Sequence, residues 1–277
     1  MMYPEVRAAV DADTSPSLSA PGFDIAAHRE QVRQLNLRQP REAVAAVEDL
    51  DAEGVPCRLF TPLDARPGLV VHAHGGGFVL NDVDVHDAVC RRFANRAGRA
   101  VLSVDYRRPP EAPFPAAPDD LDTVVRWLAA GHGPAGPYAA HGDSAGANLV
   151  LVAALRNPGF FSVVALIYPF LDPRASFASW VEGPASGFDP SDAAWYWEQY
   201  ARTEADFDDP DLAPLLSDGC TPSRRSSSRP PSTTPCVTRG RSSRDWSPRR
   251  ASRPSPSAVW DRPTASGGIR SSLPPSP

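Results

Sequence analysis

The stretch "PYAAHGDSAGANLVLVAALRN", residues 137–157, decides the fold. Its first part predicts a short strand and its second part an apolar helix, and between them stands a G-x-S-x-G pentapeptide, Gly142 to Gly146. A serine raised on a sharp strand-to-helix turn needs neighbours without side chains, and the helix that follows points N–H groups at it. Alone, the pentapeptide also fits an ordinary glycine-rich turn. Its place between a strand and a helix favours a nucleophile at Ser144.

The chain around this stretch alternates between two periodicities. Short apolar runs predict strands at 67–74, 99–106 and 161–170, and amphipathic spacing predicts helices at 86–98 and 118–131. Strands that are apolar along nearly their whole length belong to parallel sheets with both faces covered. We therefore predict an α/β fold with a doubly wound, mostly parallel sheet.

The ends of the chain differ from this pattern. Residues 24–49 have helical spacing, and we interpret them as one or two helices of an N-terminal cap over residues 1–45. Residues 46–219 then form the core, and residues 220–277 form a tail rich in serine, proline and arginine. The sequence thus predicts a cap, a core and a tail of different character.

A second glycine motif follows the first predicted strand. His74-Gly75-Gly76-Gly77 places three glycines in a row, which exposes bare backbone N–H groups of the kind that hold an oxyanion. A flexible loop is the alternative interpretation of the same residues. The occurrence of both motifs in this order favours the chemical one.

Composition excludes several classes of function. Residues 1–219 hold 17 arginines against 31 acidic residues, so nucleic acid is not an expected partner of the core. The N-terminus has no apolar segment behind a basic start, and no apolar run approaches the roughly 18 residues of a membrane span. The four cysteines show neither CxxC spacing nor a disulfide framework. We expect a cytoplasmic protein without cofactor or metal, and the sequence carries no signal of its oligomeric state.

With both motifs in place, the chain resembles the hormone-sensitive-lipase-like family of α/β-hydrolases, which are carboxylesterases. The segment "VDYRRPPEAPFPAAPDDL" (104–121) is similar to the family's DYRLAPE…FPAALDD, from which it departs at Arg108 and Pro109. "IYPFLD" (167–172) and "DLAPLLSD" (211–218) also look like family landmarks. The resemblance covers roughly residues 45 to 219.

The resemblance implies roles for the residues of both motifs. Ser144 is then the nucleophile, and the oxyanion is held by the backbone N–H groups of Gly76, Gly77 and Ala145. The supporting residues are His74, which organises the glycine loop, together with Gly75 and Asp143. The N-terminal helices and the aromatic stretch at 193–200 would cover an acyl pocket for a small-molecule ester. For 193–200 the alternative is a helix that simply packs on the sheet, at least for one tryptophan.

A serine is a poor nucleophile at neutral pH unless a base lies within hydrogen-bond reach. The family order is serine, then aspartate, then histidine. All six histidines of this chain precede Ser144. The sequence as written therefore lacks the base that the resemblance implies.

The tail is unlike the core in composition. Its 58 residues include 15 serines, 11 prolines and 11 arginines but only two acidic residues. Such a segment buries too little apolar surface to offset its ordering entropy, so disorder is expected.

A shifted reading frame gives the tail a second interpretation. The family carries its acid in a DPLRDEG motif and its base in a later HGF. When each codon's first two bases are read with the last base of the codon before, "TTPCVTRG" (233–240) can become DDPLRDEG. In the same frame 226–230 can become an apolar strand, VVVTA, and 264–266 can become HGF. The shifted aspartate falls at Thr234 and the shifted histidine at Thr264. We hypothesise that the chain beyond about residue 219 is translated out of frame, through a genuine frameshift or a sequencing error. A real disordered tail is the alternative.

Three functions follow from these observations. The first is an ester hydrolase whose catalytic aspartate and histidine are missing as written, so that its activity is impaired. The second is a non-catalytic protein that binds a small molecule on the same fold, as in plant hormone receptors that resemble this family and lack its histidine. The third, binding of RNA or acidic partners by the tail, depends on net charge alone, which the out-of-frame hypothesis also explains.

Overall fold

The computed structural model describes residues 17–176, 180 and 189–217. In these residues the chain forms six strands: β1 (Ala46–Ala52), β2 (Val55–Thr61), β3 (Leu69–Ala73), β4 (Ala100–Val104), β5 (Tyr138–Asp143) and β6 (Phe161–Ile167). The α-helices are α1 (Ile25–Leu37), α2 (Asp87–Ala97), α3 (Ala116–Ala129), α4 (Ala145–Arg156) and α5 (Pro190–Tyr200). Two short 3₁₀ turns follow at Glu204–Asp208 and Pro214–Leu216. The strands and helices predicted between 67 and 170 are confirmed to within a few residues at their ends.

The strands form one sheet in the order β1-β2-β4-β3-β5-β6. The four strands from β4 to β6 run parallel, while β2 is antiparallel to both β1 and β4. The prediction of a mostly parallel α/β sheet is therefore confirmed. Because neighbouring parallel strands end at the same edge of a sheet, the glycine loop after β3 and the serine turn after β5 lie side by side.

The helix α4 runs through the interior. Nine consecutive residues, Ala145 to Ala153, are buried, and the helix packs on β3, β5 and β6 as well as on α3. A helix that is apolar on all sides is stable only when protein surrounds it. This packing fixes the direction in which the first turn of α4, next to Ser144, presents its N–H groups.

The N-terminal region differs from the prediction of helices across 24–49. In the described residues the helix ends at Leu37, and Ala46–Ala52 form the outer strand β1. The reason is a tight hairpin to β2, in which Glu53 and Gly54 take positive φ angles of 54° and 91°. Such turns match the twist of paired strands, and the Asp51 carboxylate accepts the Gly54 N–H at 2.7 Å. The cap–core boundary assigned at residue 45 lies directly before β1.

Two arginines hold α1 against the core. The Arg29 guanidinium donates to the Val79 carbonyl at 2.8 Å and pairs with Glu111, and Arg33 forms a salt bridge with the buried Asp82. These contacts place α1 over the loop that follows the glycine motif.

At the other end of the sheet, β6 is paired only with β5 among the described residues. Its outward apolar side chains remain accessible, with Val163 56% and Ile167 39% exposed, and Tyr168 after it is 69% exposed. Each helix among the described residues is too short or too polar to span a bilayer.

Candidate active site

Ser144 stands at the turn between β5 and α4. Its backbone has φ 51° and ψ −119°, a conformation that a residue with a side chain adopts only under strain. Two hydrogen bonds enforce it: the Ser144 N–H donates to the Ile167 carbonyl at 2.9 Å, and the Phe170 N–H donates to the Ser144 carbonyl at 3.1 Å. The strained turn lifts the serine side chain above the carboxyl edge of the sheet.

The two glycines of the pentapeptide are required by close approach of the backbone. A Cβ at Gly142 would collide with the carbonyl of Gly146, and a Cβ at Gly146 would collide with the carbonyls of Ala73 and His74. These obstacles are backbone atoms, which cannot rotate away as a side chain can. The spacing of the motif thus follows from how tightly α4 crosses β3 and β5.

The glycine loop lies next to this turn. The Gly75 N–H donates to the Asp143 carboxylate at 3.2 Å, and the Gly76 carbonyl accepts N–H groups from Val79 and Leu80. In the described part of the chain, the N–H groups of Gly76 and Gly77 donate to no other group. Ala145, as the first residue of α4, also has an N–H without an intrahelical partner. In the described residues, three backbone donors of the two motifs therefore lack a partner.

His74 is tied to the loop and not to the serine. Its Nδ1 lies 3.0 Å from the Gly75 carbonyl, and the Tyr106 hydroxyl donates to the His74 carbonyl at 2.7 Å. Burial, with a smaller effect of His86, lowers the pKa of His74 to about 3. The imidazole is therefore neutral at neutral pH, and it contributes shape and hydrogen bonds.

Among the described residues, the Ser144 hydroxyl has no imidazole as a hydrogen-bond partner. All six histidines fall within the described residues, and none forms a hydrogen bond to the Ser144 side chain. The out-of-frame positions Thr234 and Thr264 lie outside the described residues. The part of the chain that the structure describes thus holds the serine and the donors without a base.

A cluster of three other histidines lies behind the serine turn, and the sequence analysis missed it. His72 Nδ1 is 2.9 Å from His141 Nδ1, and His72 Nε2 is 3.3 Å from His86 Nδ1. Burial is the main cause that lowers the pKa of all three side chains. The sequence alone carries no signal of this contact, because it depends on the register between β3 and β5, in which His72 and His141 are partners.

Asp143 connects this cluster to the glycine loop. Its Oδ1 accepts the Gly75 N–H and lies 3.9 Å from His86 Nδ1, while its Oδ2 accepts the Tyr168 hydroxyl at 3.3 Å. The carboxylate before the serine therefore holds the loop and does not point to the hydroxyl.

The aromatic helix α5 covers the glycine loop. Its Tyr196 ring lies against Gly77 so closely that a Cβ there would overlap the ring. Trp197 is 2% exposed and packs on Phe78 and Phe170, so the alternative of a core tryptophan is right for this residue. Trp195 instead meets Phe23 of the N-terminal segment edge to face at 5.6 Å.

An internal residue of α4 fixes the segment that follows α5. The buried Asn148 amide donates to the Phe170 and Leu212 carbonyls, each at 3.0 Å. Both carbonyls belong to stretches that the sequence analysis noted as family landmarks. The Asn148 side chain thus ties both stretches to the helix that follows the serine motif, and only a structure shows this link.

Comparisons with known proteins agree with this geometry. The sequence family described as "alpha/beta hydrolase fold" matches residues 70–237, more than half of the chain. Ethyl acetate hydrolase of Pseudomonas putida is 34% identical over 181 residues, 60% of this chain and 57% of that protein. The chain spans about half the length of the curated relatives it matches, between 45% and 57% of four of them.

Solved structures show the same relationship. A hyperthermophilic esterase from the archaeon Pyrobaculum calidifontis has a TM-score of 0.69 at 32% identity, covering 79% of this chain and 76% of that chain. An esterase from the bacterial hormone-sensitive lipase family has a TM-score of 0.67 at 26% identity, covering 79% and 75%. The chain therefore belongs to the α/β-hydrolase family, in its hormone-sensitive-lipase-like branch.

Proposed function

We propose that the protein is a serine hydrolase of small carboxylic esters, with Ser144 as its nucleophile. One observation carries the proposal: Ser144 is held at a strained turn with its hydroxyl uncommitted, beside backbone N–H groups that have no partner in the described residues. Relatives whose names are esterase or ester hydrolase support the reaction class, and the name ethyl acetate hydrolase supports a short ester.

The first half of the reaction follows from these groups. The Ser144 oxygen attacks the ester carbonyl carbon while its proton passes to a base, and the carbonyl oxygen becomes an oxyanion. The N–H groups of Gly76, Gly77 and Ala145 stabilise that charge. When the intermediate collapses, the alcohol leaves with the proton and the acyl group stays on Ser144. Water then releases the acid by the same steps.

The base and its carboxylate come, in this proposal, from the restored reading frame at Thr264 and Thr234. The six histidines of the written chain leave the Ser144 hydroxyl without a partner, so none of them fills this role. Removal of a triad member leaves only the residual catalysis of the oxyanion site and binding, a loss of several orders of magnitude. The written chain is thus a weak catalyst.

Helix α5 and the N-terminal segment cover the region in which the acyl group of the ester would lie. The Tyr196 ring packs on Gly77, one of the proposed oxyanion donors, and Trp195 joins α5 to Phe23. An acyl group held on Ser144 would therefore meet aromatic side chains on the side of the glycine loop. This arrangement favours small acyl groups.

The test begins with the gene. Sequencing from codon 215 to the stop shows whether the codons of 233–240 regroup into DDPLRDEG, and the regrouped chain is then expressed beside the written one. We expect the regrouped chain to hydrolyse p-nitrophenyl esters at least about a thousandfold faster than the written chain. Ser144→Ala in the regrouped chain should remove nearly all of that activity, since the nucleophile is lost.

The matched control is Ser162→Ala, because Ser162 is an exposed serine of β6 whose hydroxyl donates to the Tyr138 carbonyl. It should leave hydrolysis unchanged. Rates for the written chain equal to those of the regrouped chain would contradict the proposal, because they would require a base that the described residues do not place at Ser144.

A second function is favoured by the same lack of a base. If the written chain is the biological product, the free N–H groups suit a non-catalytic site for a small acid, whose carboxylate would occupy the oxyanion position. Calorimetric titration of the written chain with short carboxylic acids distinguishes the two functions. Micromolar binding without turnover, and codons that do not regroup, would favour this alternative.

A further inference from the structure

Three metal-ligating side chains converge directly behind the serine turn. His72 on β3, His86 at the start of α2 and Asp143 at the end of β5 can each offer one ligand atom, and these atoms lie within 4.8 Å of one another. We propose that this trio binds a divalent transition-metal ion, with Zn²⁺ as the ion that best suits it. The binding itself does not depend on the proposed ester hydrolysis.

The distances fit a single ion. His72 Nε2 and His86 Nδ1 are 3.3 Å apart, and His86 Nδ1 is 3.9 Å from Asp143 Oδ1. Tetrahedral zinc with ligand bonds of about 2.0–2.2 Å separates its ligand atoms by roughly 3.3–3.5 Å. The two nitrogens already have this separation, and a small rotation of the Asp143 carboxylate brings the oxygen to it.

His141 orients the first ligand. Its Nδ1 lies 2.9 Å from His72 Nδ1, on the opposite side of the His72 ring from Nε2. When His72 Nδ1–H donates to His141, the lone pair of His72 sits on Nε2 and faces His86. A histidine ligand whose other nitrogen is held by a hydrogen bond is the usual arrangement around protein-bound zinc.

The ligand types select the class of ion. Two imidazoles and one carboxylate suit zinc and its first-row neighbours, whereas calcium and magnesium take oxygen ligands. His72 is fully buried and His86 is 8% exposed, while the Asp143 side chain is 17% exposed. Solvent therefore reaches the site from the Asp143 side, where water would complete the coordination.

An ion here would be coupled to the glycine loop. Asp143 Oδ1, the oxygen nearest His86, is the same atom that accepts the Gly75 N–H at 3.2 Å. Coordination of this oxygen would weaken the hydrogen bond that holds the loop beside Ser144. A bound ion would therefore lower any activity of Ser144, so metal binding at this site would be inhibitory.

The test uses Co²⁺ as a spectroscopic probe of the full-length chain. After removal of metal with a chelator, we expect one equivalent of Co²⁺ to give the intense visible absorption of a tetrahedral site, and Zn²⁺ to displace it. His86→Gln should weaken Co²⁺ binding at least tenfold. His132→Gln is the matched control, because His132 is an exposed histidine outside the cluster, and it should bind Co²⁺ as the parent does.

A second variant keeps the test decisive if His86→Gln fails to fold by circular dichroism. Asp143→Asn retains an acceptor for the Gly75 N–H but loses the charge, so it should also weaken Co²⁺ binding at least tenfold. The proposal is overturned if the parent gives no tetrahedral absorption, or if folded His86→Gln or Asp143→Asn binds as tightly as the parent. Because the readout is absorption, failure of the ester hydrolase proposal would leave these results unaffected.

Discussion

The two outer strands of the described sheet differ in the side chains that they expose, which are charged on β1 and apolar on β6. On β1 the exposed positions include Glu48, Asp49 and Asp51, and charges of this kind discourage a second chain from pairing with the strand. On β6 the exposed positions include Val163 and Ile167, apolar residues in a run without a single charge. The first strand is suited to an edge, whereas the second has the composition of a strand that is covered in the finished fold.

This difference supports the out-of-frame hypothesis independently of the missing histidine. In the shifted frame, residues 226–230 can encode an apolar strand, and a further strand and helix beyond β6 would cover the face that Val163 and Ile167 leave open. In the written frame the tail offers mostly serine, proline and arginine. Because of the exposed apolar patch, we expect the written chain to aggregate more readily than the regrouped one.

The largest expected effect comes from Val163→Lys, tested in both the written and the regrouped chain. In the written chain Val163 is 56% exposed, so the lysine should change the free energy of unfolding by less than about 0.5 kcal/mol and reduce light scattering. In the regrouped chain the same position should be covered, and the lysine should cost about 2 kcal/mol or more. Urea unfolding measures both.

A negligible change in the written chain together with a large loss in the regrouped chain would confirm the comparison of the outer strands. An equal and small effect in both chains would show that the regrouped tail does not cover β6, and it would contradict the hypothesis of a shifted frame.

The sequence predicted the centre of the sheet well for a physical reason. Strands β3 and β4 are buried along nearly their whole length, so their apolar runs are nearly continuous and cannot be mistaken for a surface helix. β1 is different, because the run from Glu48 to Asp51 contains one apolar residue, Leu50. Its spacing of three residues from Val47 also suits a helix. Only the pairing with β2 decides its structure, and pairing is not a local property.

The same distinction applies to the candidate site. Ser144 and Gly75 to Gly77 were predicted because each motif is contiguous and its backbone requirement is local. The pair of His72 and His141 was missed because their contact depends on the register between β3 and β5. The role of Asp143 as a link between the loop and the histidines also required the structure. The sequence shows that Asp143 precedes Ser144, but it does not show where the Asp143 carboxylate points.

An intermediate effect is expected from Arg58→Gln on β2, which tests how the charged edge is held. The Arg58 guanidinium forms salt bridges with Asp49 of β1 at 2.6 Å and with Asp84 at 2.7 Å, and its side chain is 19% exposed. Loss of both bridges should lower the free energy of unfolding by about 1 kcal/mol. The control is Arg96→Gln, whose salt bridge with Glu42 lies on the surface and should contribute less. Equal losses would mean that the β1 edge is not held by its charges.

The smallest effect is expected from Val47→Lys, the counterpart of Val163→Lys on the other outer strand. Val47 is 38% exposed on β1 and pairs with the buried Phe60 of β2. A lysine can lay its methylenes over the same surface while its charge stays in water, so the free energy of unfolding should change by about 0.5 kcal/mol or less. Because β1 lies at the opposite end of the described sheet from β6, the change should be the same in the written and the regrouped chain. A loss near that of Val163→Lys in the regrouped chain would show that β1, too, is covered by a further element, and the contrast between the two strands would have to be abandoned.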